Sequence, residues 1–279
     1  MTFVLRQAAY GKSDIRLVKV SRGDDRHELS DVTVDVSLAG DFRAAHKDGD
    51  NSALLATDTM RNAVYALAAQ NAVDDLEEFA RVLVEHFVAA GPTVERARVQ
   101  LVEHPWARLG DQPHAFQRAG GGDRIAVVSG DGHHARVEAG IEGLELLRTT
   151  GSGWSGFLRD RYTTLPDTED RILATAVSVR WRYAERGIDF GAAWHAARGA
   201  LLDSFADHYS PSVQFTLQRM GEAVLRAVEA VERVHLSLPN RHHLLYDLER
   251  FGLSNDNQVF HATTEPYGLI EGTVERARR

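Results

Sequence analysis

The residues Asp-Val-Thr-Val-Asp-Val-Ser-Leu at positions 31–38 alternate without a break, Val32, Val34, Val36 and Leu38 against Asp31, Thr33, Asp35 and Ser37. Successive side chains of a strand point to opposite sides. This period therefore predicts a strand with one buried and one wet face, as in an antiparallel sheet covered on one side. A preceding strand is expected over 13–20, joined to it by the hairpin-like connection Ser-Arg-Gly-Asp-Asp-Arg at 21–26. Downstream, residues 50–70 open as a loop and then change period. Met60, Val64, Leu67 and Ala68 fall at i, i+4, i+7 and i+8, one face of a helix expected over 59–70. Thr57, Asp58 and Thr59 stand just before that face, and any of them suits a cap that accepts a bond from a free N–H of the first turn.

A second helix carries Leu76, Phe79, Leu83 and Phe87 on one face and stops at Gly91-Pro92. Alternation returns at Ala97, Val99 and Leu101. The run Gly120-Gly121-Gly122-Asp123 lacks the spacing of a phosphate loop and precedes a strand, so it reads as a turn. The order then repeats. Strands are expected over 124–129 and 135–147, followed by a longer one with Leu173, Thr175, Val177, Val179, Trp181 and Tyr183 on one face. Two helical stripes follow: Phe190, Trp194, Ala197, Leu201 and Phe205, then Val213, Leu217, Met220, Val224 and Val228. Strand segments at 234–238, 244–248, 258–261 and 269–274 close the chain. Strand blocks separated by helix blocks, twice over, predict an α+β fold. Its antiparallel sheets carry paired helices on one face, in two tandem units over 1–135 and 136–279.

The bulk of the chain narrows the functional classes. Its 279 residues, 43% hydrophobic and 26% charged, have a globular composition. No apolar run approaches the ~20 residues that span a bilayer, so no membrane partner is expected. A net charge of −8 argues against nucleic acid, whose phosphates need a basic face. A few local cations still suffice for a small anion. The absence of cysteine excludes disulfides, thiolate catalysis and cysteine zinc sites. Thirteen histidines include His133-His134 and His242-His243, but no HExxH or similar compact spacing occurs, and no metal is expected. With no basic, apolar leader at the start and Arg-Ala-Arg-Arg at the end, a cytoplasmic location is expected.

Short motifs run through nearly the whole chain. Tyr10-Gly11-Lys12 is followed by Val18-Lys19-Val20, and Asp50-Asn51-Ser52 by Ala56-Thr57-Asp58-Thr59. Gly156-Phe157-Leu158-Arg159-Asp160 precedes Tyr162-Thr163-Thr164-Leu165. Then come Asp170-Arg171-Ile172-Leu173-Ala174-Thr175, Ser212-Val213-Gln214, Ser237-Leu238-Pro239-Asn240-Arg241-His242 and Tyr267-Gly268-Leu269-Ile270. In this order and spacing the chain resembles the urate oxidases. The resemblance implies two tandem tunnelling-fold (T-fold) units and a homotetramer with active sites at subunit interfaces. It further implies oxidation of urate by O2 and water to 5-hydroxyisourate and hydrogen peroxide, without metal or organic cofactor.

On local grounds alone Lys12 is a solvated lysine in a Tyr-Gly-Lys turn, Arg171 a partner for the adjacent Asp170, Gln214 a polar helix start and Asn240 turn chemistry after Pro239. The resemblance assigns them otherwise. Lys12, Thr57 and His242 form a proton relay; an ammonium buried near other cations loses affinity for its proton and can act as a base. Arg171 grips the pyrimidine side of urate with its fork, Gln214 and the Val213 backbone pair with the donor and acceptor edge, and Thr57 and Asp58 complete the substrate contacts. Asn240, with Thr57, marks the place of oxygen and later peroxide over the ring. Trp154 stands where the family has a stacking Phe, and Arg241 where lysine is common. Lys12, Thr57 and Asp58 are expected from one subunit, and Trp154, Arg171, Gln214, Asn240 and His242 from its neighbour. The rival readings are a zinc-dependent T-fold pterin enzyme, which predicts a histidine-rich metal site, and a purine-binding protein that has lost the chemistry.

Overall fold

The computed structural model describes residues 3–184 and 187–277. The last two residues of the Arg-Ala-Arg-Arg end, like Met1 and Thr2, lie outside the described residues. The chain divides into two compact units, Met1–Gly140 and Ile141–Arg279. The division falls inside a strand, after Gly140, where 135/136 was expected.

The first unit contains β1 (Ala9–Arg22), β2 (His27–Gly40), the short α1 (Arg43–Asp48), α2 (Thr57–Gln70), α3 (Leu76–Val88), β3 (Val94–Glu103), the small hairpin β4 (Trp106–Arg108) and β5 (Phe116–Arg118), β6 (Asp123–Gly130) and the start of β7 (Ala135–Arg148). Its sheet runs β1-β2-β3-β6, with every neighbouring pair antiparallel. Val32, Val34, Val36 and Leu38 are fully buried on the helix side, each contributing roughly 1.5–3 kcal/mol by leaving water. On that side α2 packs on β1, and α3 on β3 and β6.

The opposite face of β2 is less wet than its alternation predicts. Asp31 is only 5% exposed, because the β4/β5 hairpin covers it. The Trp106 indole N–H donates to its Oδ2 at 2.9 Å, and Arg16 pairs with its other oxygen. A buried carboxylate needs such partners.

Tyr10-Gly11-Lys12 is strand, not turn. Lys12 pairs with Val36 and Ile15 with Val34, so β1 carries one extra residue between them. This bulge holds Asp14 at φ 57°, with its N–H bonded to Asp35 Oδ1 at 2.8 Å. Gly11 lies so close to β2 that a Cβ would meet the Val36 carbonyl oxygen at 1.8 Å. Bulges bend a strand and re-aim the neighbouring side chain, here Lys12.

The second unit contains the rest of β7, β8 (Leu173–Tyr183), α4 (Phe190–Ala206), α5 (Val213–Ala227), β9 (Val231–Leu245) and β10 (Phe260–Glu275), with strand order β7-β8-β9-β10. The β8 alternation holds throughout: all six side chains named from the sequence are buried. Trp194 departs from its expected stripe and is half-exposed. The four closing segments merge into two long strands, with 246–248 and 258–259 falling outside them. β9 continues through Pro239 and Asn240, so the turn expected there does not form. Pro239 faces Leu269 of β10, and the β8 pairs Ser178↔Ser237 and Thr175↔Asn240 flank it. The missing proline N–H is thus carried by a ladder bonded on either side of it. Opposite it, β10 bulges: His242 to Asn240 is two steps on β9, while their partners Thr263 and Gly268 are five apart.

Both units thus show strand-strand-helix-helix-strand-strand, an α+β architecture with antiparallel sheets and helix pairs, as expected of T-fold units. Among the described residues no helix is long and apolar enough to cross a membrane.

Candidate active site

The second unit's site is built on a backbone zipper. Between β7 and β8 the chain folds back so that Trp154 and Thr168 exchange both backbone bonds, at 2.7 and 3.0 Å. Arg171 N–H donates to the Ser152 carbonyl at 2.8 Å. Gly153 N–H donates to Ser210 O, and Ser210 N–H to Gly151 O, each at 2.9 Å. Three distant segments are thereby fixed to one another: the Trp154 loop, the start of β8 and the turn before α5.

That turn is itself locked. His208 bonds the Ser204 carbonyl through Nδ1 at 2.6 Å and the Thr216 hydroxyl through Nε2 at 2.9 Å. Thr216 reaches Ser210 Oγ at 2.7 Å, and Ser210 Oγ donates to Ser212 O at 3.1 Å. Ser210 and Thr216 are fully buried. Burial lowers the His208 pKa and outweighs the Ser204 bond, which raises it. Ser212 then caps α5, its side chain accepting from Phe215 N–H at 3.1 Å. The N–H groups of Val213 and Gln214 precede the first intrahelical bond, from Thr216 N–H to Ser212 O. They are the free donors with which a helix start holds acceptor or anionic groups.

Trp154, Arg171, Val213, Gln214, Asn240 and His242 line one cavity of about 590 Å³ in this unit. Asp170 and Asn257 also line it, with an apolar floor that includes Leu165 and Ile270. Asp170 does not pair with Arg171. Its Oδ1 accepts from the Thr150 hydroxyl at 2.8 Å and from Gly151 N–H. Arg171 forms no ion pair among the described residues, and its Nε is buried without a hydrogen-bond partner. Burial lowers its pKa, opposed by nearby Tyr209. A guanidinium left in this state is poised for an acceptor that enters the cavity. Trp154 stacks on Phe157, with centroids 5.5 Å apart and planes 9° apart. Arg241 pairs with Glu145 at 2.5 Å, leaving His242 and His243 as the imidazoles of the cavity wall.

Lys12, Thr57 and Asp58 lie in the first unit. Lys12 is half-buried on β1 beside the bulge. The expected side-chain cap of α2 is not formed. The N-cap is Ala56, and Thr57, Asp58 and Thr59 make up the first turn. Asp58 instead pairs with Arg61 one turn on, at 2.6 Å. The Thr57 hydroxyl is thus released from capping. The helix is tied to β1 along its whole length: ahead of its start Leu55 N–H donates to the Tyr10 hydroxyl at 2.9 Å, mid-helix Tyr65 OH donates to Arg16 O at 2.7 Å, and at its end Lys19 Nζ donates to Ala68 O and Asn71 O. Among the described residues no group of three or more His, Asp or Glu side chains is arranged to hold a metal ion.

Residues 8–129 and 137–271 match the family model described as Uricase. The chain is 46% identical over 273 residues to the uricase of Arthrobacter globiformis, covering 98% of this chain and 90% of that one. The chain belongs to the uricase family. The uricase of Dictyostelium discoideum is 38% identical over 275 residues, 96% of each chain. The crystal structure of the Arthrobacter globiformis uricase superposes with a TM-score of 0.96 at 45% identity, over the whole of this chain and 98% of that one.

Within this uricase-family chain, sequence reasoning did not single out His208, Ser210 and Thr216, which lock the turn that leads into Val213 and Gln214. Ser210-Pro211-Ser212 ahead of an apolar stripe was the available signal: a turn closed by a capping serine. Phe157 was read only as part of a family motif, and its contact with Trp154 depends on the loop's closure.

Proposed function

We propose that this chain is a urate oxidase, converting urate, O2 and water to 5-hydroxyisourate and hydrogen peroxide. Two electrons pass from the purine ring to O2, and water supplies the hydroxyl added to the ring, so atoms and electrons balance without a further redox group. The observation that carries the reading is the cavity itself. A half-buried guanidinium whose Nε has no partner, the free N–H groups of a capped helix start and the Trp154 indole line one cavity. A planar anion with alternating acceptors and donors suits that set, and family membership names such an anion.

In this reading Arg171, Val213 and Gln214 hold the edge of urate, and Trp154 stacks on its ring. Asn240 holds oxygen, then peroxide, above it with Thr57. His242, Thr57 and Lys12 move the protons. Binding and orientation convert an encounter of three molecules into a reaction within one complex. Lysine is not among the residues lining the cavity. A second copy of the chain is therefore proposed to bring Lys12, Thr57 and Asp58 to it, in a homotetramer.

The test is oxygen uptake and ultraviolet absorbance after mixing chelator-dialysed protein with urate. Consumption of both substrates at the undialysed rate supports the cofactor-free reading. Urate binding without oxygen uptake would establish a binding protein instead. The shared site has its own test. Lys12→Met and Arg171→Ala chains, each inactive alone, should regain roughly a quarter of the wild-type sites when refolded together at equal amounts, as random pairing across an interface requires. No recovery would place both halves of the site in one chain.

A further inference from the structure

We propose that Phe157 is a positioning residue for the stacked ligand, setting the plane of the Trp154 ring. The inference rests on the reading of the cavity as a purine site. Trp154 is fixed at its backbone by the paired bonds to Thr168, but those bonds leave its side-chain torsions free. The ring's orientation has to come from what it touches, and Phe157 lies parallel to it at 5.5 Å. Phe157 is held in turn. The Arg159 guanidinium lies over its ring, 4.7 Å from the centroid. Arg159 is anchored by Asp167 at 3.0 Å and by the Leu165 carbonyl at 3.3 Å. Asp167 also accepts from Gly156 N–H at 3.2 Å, which ties the loop's return to its outward limb. Leu165 and Asp167 both line the cavity. Arg159, Phe157 and Trp154 thus form a column whose last member faces the ligand space, and whose anchor is the cavity wall itself.

The indole at position 154 gives this column its purpose. Indole is larger and offers more of its face to a stacked base than phenyl does. A tilted indole would also narrow the space beside it. A parallel backing ring keeps the indole edge out of the cavity and its face toward it.

The decisive comparison is Phe157→Leu with Phe157→Tyr, the latter keeping the stacked ring. Urate KM and kcat are measured together with xanthine affinity, as the probe of binding without turnover. The 19F resonance of 5-fluorotryptophan at position 154 is assigned with Trp154→Phe. Phe157→Leu is expected to shift that resonance, raise KM and weaken xanthine binding by about two- to tenfold, the scale of one aromatic pair. Its kcat should stay within about twofold, since no proton-transfer group is touched. Phe157→Tyr should restore all three. An unmoved resonance with unchanged KM in Phe157→Leu overturns the proposal. Equal loss in the Tyr variant also overturns it, since the stack would then not be what matters. A wild-type protein that binds neither urate nor xanthine refutes the purine-site reading and the proposal's premise with it, whereas wild-type binding with an unmoved resonance refutes the column alone.

Discussion

Arg171 offers the sharpest trade between stability and binding in this molecule. Its guanidinium lines the cavity, forms no ion pair among the described residues, and keeps Nε buried and unbonded. Burial disfavours the charged form, which is why its pKa is lowered. In the unliganded protein the side chain is therefore a cost, and its return comes only when an anion arrives. Replacing it with methionine, similar in length and uncharged, should leave the urea midpoint of the free protein unchanged or raised, because an uncompensated charge has been removed. Binding should move the other way. Losing one partner of a buried charged hydrogen bond costs about 2–5 kcal/mol, or roughly 30- to 4,000-fold in affinity at ~1.4 kcal/mol per decade. Isothermal titration with xanthine, on protein whose oligomeric state is verified by size exclusion, gives the affinity. Urea unfolding gives the stability. A variant that binds xanthine as tightly as wild type would refute the assignment of Arg171 to the ligand. Large destabilisation of the free protein would show that the charge is already compensated.

Three further outcomes are expected. Lys12→Met should lower urate turnover by about 10²-fold or more, the scale of a general acid–base group, with xanthine affinity little changed; near-normal turnover returns Lys12 to a plain surface lysine. Glu77 and Arg124 are buried against each other at 2.6 Å, so Glu77→Ala should cost about 3–5 kcal/mol in urea unfolding, the scale of removing one partner of a buried ion pair. The double variant Glu77→Leu/Arg124→Met should recover most of that, and equal loss in the double variant would show that packing, not charge, is at stake. His208 has a folded pKa below its ordinary 6.5 because burial disfavours the imidazolium. The unfolded chain therefore binds more protons as pH falls through that value, and stability present above it is lost below it. The wild-type Tm should fall between about pH 7.5 and about pH 5.5 by more than that of His208→Gln, and parallel losses would exclude the histidine as the cause.

The alternation at 31–38, the apolar stripes of the helices and the doubled order of elements gave a correct reading of the architecture, because each is written in neighbouring residues. A strand must alternate and a helix must repeat near 3.6 whatever lies elsewhere in the chain. The resemblance implies one shared site for Trp154, Arg171, Val213, Gln214, Asn240 and His242, and these six line one cavity, although no local pattern in the chain brings them together. Local chemistry also misled. Thr57 looked like a cap and Asn240 like a turn, yet Thr57 is the first helical residue of α2 behind an Ala56 that supplies no side-chain cap, and β9 runs through Pro239 because β8 and β10 bond it from both sides. The bulges beside Lys12 and opposite Asn240 have no periodic signature, since each arises from a mismatch between two strands and belongs to neither alone. The same holds for the bonds joining residues 151–154 to Ser210 and Arg171, and for the unpaired guanidinium they leave in the cavity. Sequence periodicity thus determined which faces are buried. Only the tertiary structure decided which polar groups find partners across the fold and which are left for a ligand, because hydrogen-bond satisfaction is a property of pairs far apart in the chain.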